Sequence, residues 1–113
     1  MTVINLINVT SITPTTVAGA VTTSRASIID VAANKVAKVN TLMISNIDGT
    51  NAADITVEVS VDNGSNYVAI AKTVSVPADA TLVVVGKDNG FYLDETDILA
   101  VTASAASDLT YLC

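Results

Sequence analysis

Few side chains in this chain could take part in chemistry, and most of them are carboxylates. Asp94, Glu95 and Asp97 crowd one short stretch, with Asp88 just upstream. Oxygen-rich turns can ligate calcium, but an EF-hand needs ligands spread over about twelve residues around a central glycine, and this spacing does not supply them. The expectation is a solvated turn whose charges keep strand ends soluble, so a chelator should leave the melting temperature unchanged. Glu58 and Glu95 are the only glutamates, both in exposed-looking contexts. They do not read as the cleft-bound acid pair of a glycosidase. Histidine and tryptophan are absent. That removes Ser–His–Asp and Cys–His nucleophile systems and histidine-containing metal sites. No GxGxxG or P-loop sequence offers a phosphate cradle. The single cysteine, Cys113, can form neither an internal disulfide nor a zinc motif. These absences predict a protein without enzymatic activity, cofactor or metal.

The aromatic residues are Tyr67, Phe91, Tyr92 and Tyr111. A sugar-binding face usually presents rings for stacking. Phe91-Tyr92 is the sole adjacent pair and reads more simply as a core Phe beside a surface-anchored Tyr.

The net charge is −6, and Arg25, Lys35, Lys38, Lys72 and Lys87 are scattered. Phosphate neutralisation needs clustered cations, so nucleic-acid binding is not expected. Charged residues make up 14% of the 113-residue chain, against about 25% in an ordinary soluble domain. A surface so rich in Thr, Ser, Asn and Ala can pack on neighbours without desolvating many ions. That favours a role in an assembly. No apolar run approaches the ~20 residues of a membrane helix. The N-terminus lacks the basic start of a signal peptide, which predicts synthesis in a reducing cytosol and release from it by a route other than secretion, such as lysis.

Whatever acts must be positioned by strands. Residues 55–62 alternate apolar and polar at the period of a half-buried strand, and Asn63-Gly64 follows as a hairpin signal. Further strands are predicted at 17–31 (one or two), 38–47, 67–76, 81–87, 91–93, 98–103 and 109–112. Turns at Asp30–Lys35, Asp48-Gly49, Pro77–Ala80, Asp88–Gly90, 94–97 and 104–108 separate them. The fold class predicted is all-β, an antiparallel β-sandwich, jelly-roll or Ig-like, of about eight short strands with an extended N-terminal segment. Residues 1–16 form an arm or an edge strand, and 17–113 form a single sandwich domain. The continuous run Leu82-Val83-Val84-Val85 is expected to be covered on both faces, by core and by a neighbour.

Three stretches carry a resemblance. They are Asn46-Ile47-Asp48-Gly49-Thr50-Asn51-Ala52-Ala53-Asp54-Ile55-Thr56-Val57; Lys72-Thr73-Val74-Ser75-Val76-Pro77-Ala78-Asp79-Ala80-Thr81-Leu82; and Phe91-Tyr92-Leu93-Asp94-Glu95-Thr96-Asp97-Ile98-Leu99-Ala100-Val101-Thr102-Ala103-Ser104. Together, over roughly residues 36–112, they resemble small virion proteins of tailed bacteriophages, including those of cyanobacteria. The grammar of strand, Val-Pro-Ala turn, Tyr-Leu-acid-acid turn and strand also recurs in tail and fibre modules. The resemblance implies a capsid cement or decoration protein, a homotrimer on the outer surface of the head, bound across junctions of the major capsid protein. It brings no catalytic residues. A tail, neck or fibre component is the alternative within that class, and a carbohydrate-binding module using Tyr67 or Tyr92 is the alternative outside it. On the cement reading, the contact residues are Val3, Ile4, Leu6 and Ile7, reaching to a neighbour or the lattice, and Leu82, Val83, Val84 and Val85, in the core or a trimer interface.

Overall fold

The alternating stretch after Ala52 is a strand, and its partners follow a single pairing rule. The computed structural model describes residues 11–113. Among the described residues there are ten strands in chain order: β1 (Ala18–Ala20), β2 (Ala26–Asp30), β3 (Ala37–Val39), β4 (Leu42–Asn46), β5 (Ala53–Ser60), β6 (Val68–Val76), β7 (Thr81–Val85), β8 (Phe91–Leu93), β9 (Ile98–Ala103) and β10 (Leu109–Leu112). The first pairs with the tenth, the second with the ninth, the third with the eighth, the fourth with the seventh and the fifth with the sixth, all antiparallel. The described residues thus form one long hairpin, its two halves paired rung by rung from the 61–67 tip back to β1 and β10.

Winding that hairpin on itself adds two further pairings, β10 with β4 and β9 with β5. The result is two four-stranded sheets, β1-β10-β4-β7 and β2-β9-β5-β6, with β3-β8 as a short separate rung. The first and fourth rungs lie in one sheet and the second and fifth in the other. This is the wound double Greek key of a jelly roll, and it excludes the immunoglobulin order that the strand count alone left open.

The strand count exceeds the expected eight because 17–31 holds two strands and the predicted strand at 38–47 is broken. β3 ends at Val39 and β4 starts at Leu42, on different sheets. Composition does not mark that crossing. Residues 11–16 are exposed and outside any strand. Their neighbour Val17 exchanges both backbone hydrogen bonds with Cys113, at 2.9 Å each. Of the proposed contact residues, Val3, Ile4, Leu6 and Ile7 lie outside the described residues.

Small aliphatic side chains fill the space between the sheets. Leu42, Ile44 and Leu109 from one sheet, with Val21 just past β1, share one buried cluster with Ile55, Val57, Leu99 and Val101 from the other sheet and with Val39 and Leu93. β-branched residues suit this packing because they cover a pleated surface with little rotamer freedom to lose.

The hairpin tip departs from the predicted two-residue turn. Asn63 (φ 58°) and Gly64 (φ 87°) do take the left-handed conformations expected of the pair. The connection nevertheless runs from Val61 to Tyr67, because Asp62 holds it open as a loop: its carboxylate accepts from the Asn66 backbone N–H (2.8 Å) and side-chain amide (2.9 Å).

The β3–β8 rung approaches closely at Gly90, where a Cβ would sit 2.8 Å from the Val39 carbonyl oxygen. Backbone cannot yield as a flexible side chain can. Gly90→Ala is therefore expected to destabilise by roughly 1–3 kcal/mol, read as a lower urea midpoint at unchanged m-value.

Candidate interaction surfaces

The two sheets present opposite kinds of outer face. Registered partners share a face, so the outward rows can be read across the strands. On the β1-β10-β4-β7 sheet one outward row is Ala18, Leu112, Met43 and Val83, and the next is Ala20, Thr110, Ser45 and Thr81. No ionisable side chain interrupts either row. Val83 is 57% and Leu112 41% exposed, and the Ser45 and Thr81 hydroxyls hydrogen-bond to each other at 3.1 Å. A shallow depression lies over Ala18, Met43, Ser45, Thr110 and Leu112.

The outer face of the β2-β9-β5-β6 sheet is charged and roofed. Glu58 lies beside Ala100 and Ala69 on that face and takes a two-pronged contact from Arg25, Nε at 3.0 Å and Nη2 at 3.1 Å. The pairing raises the Arg25 pKa above its ordinary value. The guanidinium also lies 4.0 Å from the centre of the Tyr67 ring. Beside it the hairpin tip folds over the sheet: Ser60 Oγ accepts from the Gly64 N–H at 2.8 Å. Ile98, Ala100 and Ser60 are buried although their strand positions point outward, and the tip at Gly64 lies against Ile98.

The run Leu82-Val83-Val84-Val85 is an edge strand whose inner face is covered by the core. Val85 is buried, Leu82 and Val84 pack partly on the core, and Val83 points outward. A register shift between Leu42 and Met43 places Val84 opposite no partner. That bulge lets a continuous apolar run serve a half-buried strand.

A second apolar feature lies where β5, β6 and β8 meet. It is an open groove of ≈ 320 Å³ lined by Val59, Val61, Val68, Ile70, Phe91, Tyr92, Leu93 and Asp97. Val61 and Val68 are more than half exposed. At the rim the Lys38 ammonium sits 5.6 Å from the Tyr92 ring centre. Tyr67, the other ring considered for glycan stacking, has Arg25 over its face, whereas Tyr92 is 53% exposed.

The acidic turn is not solvated as expected. Glu95 and Asp97 are buried, and Glu58 is largely shielded by Arg25. Their oxygens serve the backbone: Glu95 Oε2 accepts the Asn34 N–H at 2.7 Å, and Asp97 Oδ2 accepts the Asp94 N–H at 2.9 Å. The backbones clasp as well, Thr96 N–H to Val31 carbonyl and Val31 N–H to Asp97 carbonyl. Sequence reasoning missed this because acids in a turn look alike whether they face water or tie down a second loop. No group of three or more acids and cysteines among the described residues is disposed to hold a metal ion.

Other carboxylates tie their own loops. Asp48 is held below the usual carboxylate range by the Thr50 and Asn51 backbone N–H groups, and Asp62 by the Asn66 backbone N–H, the Asn66 amide and the Ser60 hydroxyl. Depressed values in the folded state mean that these hydrogen bonds stabilise fully above the ordinary carboxylate pKa. They are lost as pH falls through the folded values. The urea midpoint is therefore expected to hold above about pH 5 and to fall below about pH 4, with a shallower fall in Asp62→Asn. Burial raises the pKa of the Cys113 thiol, which makes it a poor nucleophile.

No helix among the described residues is long and apolar enough to cross a membrane. Comparison with known proteins finds no matching family model, no similar curated protein and no similar solved structure.

Proposed function

We infer that this chain is a non-enzymatic structural protein of a tailed-phage virion, a cement protein that binds major capsid protein across capsomer junctions on the outside of the head as a homotrimer. The observation that carries the reading is the charge-free outer face of the β1-β10-β4-β7 sheet. In a chain of net charge −6, this is the broad face that can be covered without stripping water from an ion. The jelly roll supports the reading as a fold common among capsid proteins, although folds alone do not assign function. A protein that binds the assembled lattice and not free subunits stabilises the lattice by linkage. Several weak contacts, each small in area, suffice when they act together.

The test is binding to undecorated heads of the phage that carries the chain. Cosedimentation should saturate at a fixed ratio to major capsid protein, and imaging should place the protein on the head. Met43→Lys or Val83→Lys puts a charge on the outward row without disturbing the core and should weaken head binding by more than about tenfold. Val68→Lys should have little effect. Location on the tail or fibres would move the assignment to that part of the particle, and absence from the virion would overturn it.

A further inference from the structure

The groove between β5, β6 and β8 is lined by an acid with one polar atom that the fold does not use. Asp97 is 3% exposed and lines the groove, and its Oδ1 is buried without a hydrogen-bond partner. Its other oxygen is engaged by the Asp94 N–H. A buried acceptor left unpaired costs free energy, more so when the group carries charge. Around it the walls are aliphatic and aromatic: Val59, Val61, Val68, Ile70 and Phe91. An apolar channel with one convergent polar group is the general form of a ligand site.

The geometry points to a receptor for a lysine side chain of a partner protein. A lysine buries its aliphatic stem along apolar walls and delivers a compact ammonium at the end. Arginine fits less well, because its planar fork is matched by two free carboxylate oxygens and only one is unengaged here. A neutral alkyl chain would fill the walls and leave Oδ1 unpaired. The charge balance agrees, since an acidic chain attracts a basic partner segment. The Lys38 ammonium over Tyr92 shows that a cation is tolerated against the ring at the rim. Because Oδ1 is itself shielded, engagement requires the lining to part. Phe91 and Leu93 should therefore respond to binding as well as the exposed Val68 and Ile70.

The probes are n-butylammonium, n-butanol and a capped Val-Lys-Val peptide, titrated into the full chain and followed by methyl NMR. The ammonium should shift the Val59, Val68, Ile70 and Leu93 methyls saturably, at roughly millimolar affinity. Butanol should be weaker by about tenfold or more, and the peptide tighter than the ammonium. Asp97→Asn keeps an oxygen for the Asp94 N–H and removes the charge. It should lose the preference for ammonium over butanol while the methyl spectrum stays dispersed. Equal binding of butanol and ammonium to the native chain would overturn the proposal without recourse to any variant. So would a peptide no tighter than the free amine, which would assign the groove to small amines, or the absence of saturable shifts.

Discussion

Leu99→Ala is expected to lower stability by about 3–4 kcal/mol, a large share of the roughly 5–15 kcal/mol that holds a domain folded. Leu99 is fully buried. It sits on β9, between β2 and β5, where Ile98, Ala100 and Val101 beside it are buried too. A strand enclosed this way cannot collapse into the space a lost isobutyl group leaves, because its register is fixed on both sides. The cost should therefore lie in the upper part of the range for such substitutions. Thermal unfolding should show a fall in midpoint of about 15 °C. Val83→Ala is the informative comparison: it removes a side chain from an equally apolar run, but Val83 is 57% exposed, and the expected change is within about 0.5 kcal/mol. Equal losses at the two positions would mean that Val83 is covered in the free protein, which would place a self-association contact on the uncharged sheet face.

That contrast also shows what the sequence made legible. The alternation Ile55, Thr56, Val57, Glu58 states a face for every residue of β5, and the structure buries Ile55 and Val57 accordingly. Turns built on Asn63-Gly64 and Pro77–Ala80 fall where their backbone chemistry demands them, with Asn63, Gly64 and Asp79 at positive φ. Period, however, reports only which side of a strand faces which way. It does not tell which strand lies beside which. The nested pairing of β1 with β10 through β5 with β6 rests on long-range contacts that no local pattern encodes, and the crossing from β3 to β4 is hidden inside one apolar stretch.

Nor does local pattern tell what covers an outward face. Ile98 and Ala100 are buried although they point outward, and the hairpin tip at Gly64 lies against Ile98, whereas Val83 on the other sheet is exposed. The candidate surface emerges only from registering four strands separated in sequence. Asp97 was visible as an acid in a turn. Its burial against the groove follows from the clasp between the 94–97 and 31–34 segments, which come together through the pairing of β2 with β9.

Asn46 lies inside the predicted strand 38–47 with nothing local to single it out, yet its replacement should rival the loss of Leu99. The residue is 3% exposed. Its amide donates to the Asn51 and Val76 carbonyls, both at 2.9 Å, and its oxygen accepts the Asp48 N–H at 2.9 Å. One side chain thus ties the 47–52 loop to the end of β6. Leucine fills a similar volume but leaves two carbonyls and one N–H without their partner. At roughly 1–3 kcal/mol for each group that stays dry, a total near 3–5 kcal/mol is expected for Asn46→Leu. Asn46→Asp separates the hydrogen-bonding contribution from shape. An ionised carboxylate in this position would face two carbonyl oxygens and favour its protonated form, so its folded pKa should rise above the unfolded value. Its stabilising contribution is then present at low pH and lost as pH rises through the folded pKa. The native chain loses stability on acidification through Asp48 and Asp62, and Asn46→Asp should counter that trend with a gain between pH 7 and about pH 4. Urea midpoints measured across that interval decide the point: parallel curves for the native chain and Asn46→Asp would mean that the Asn46 amide does not donate to the two carbonyls.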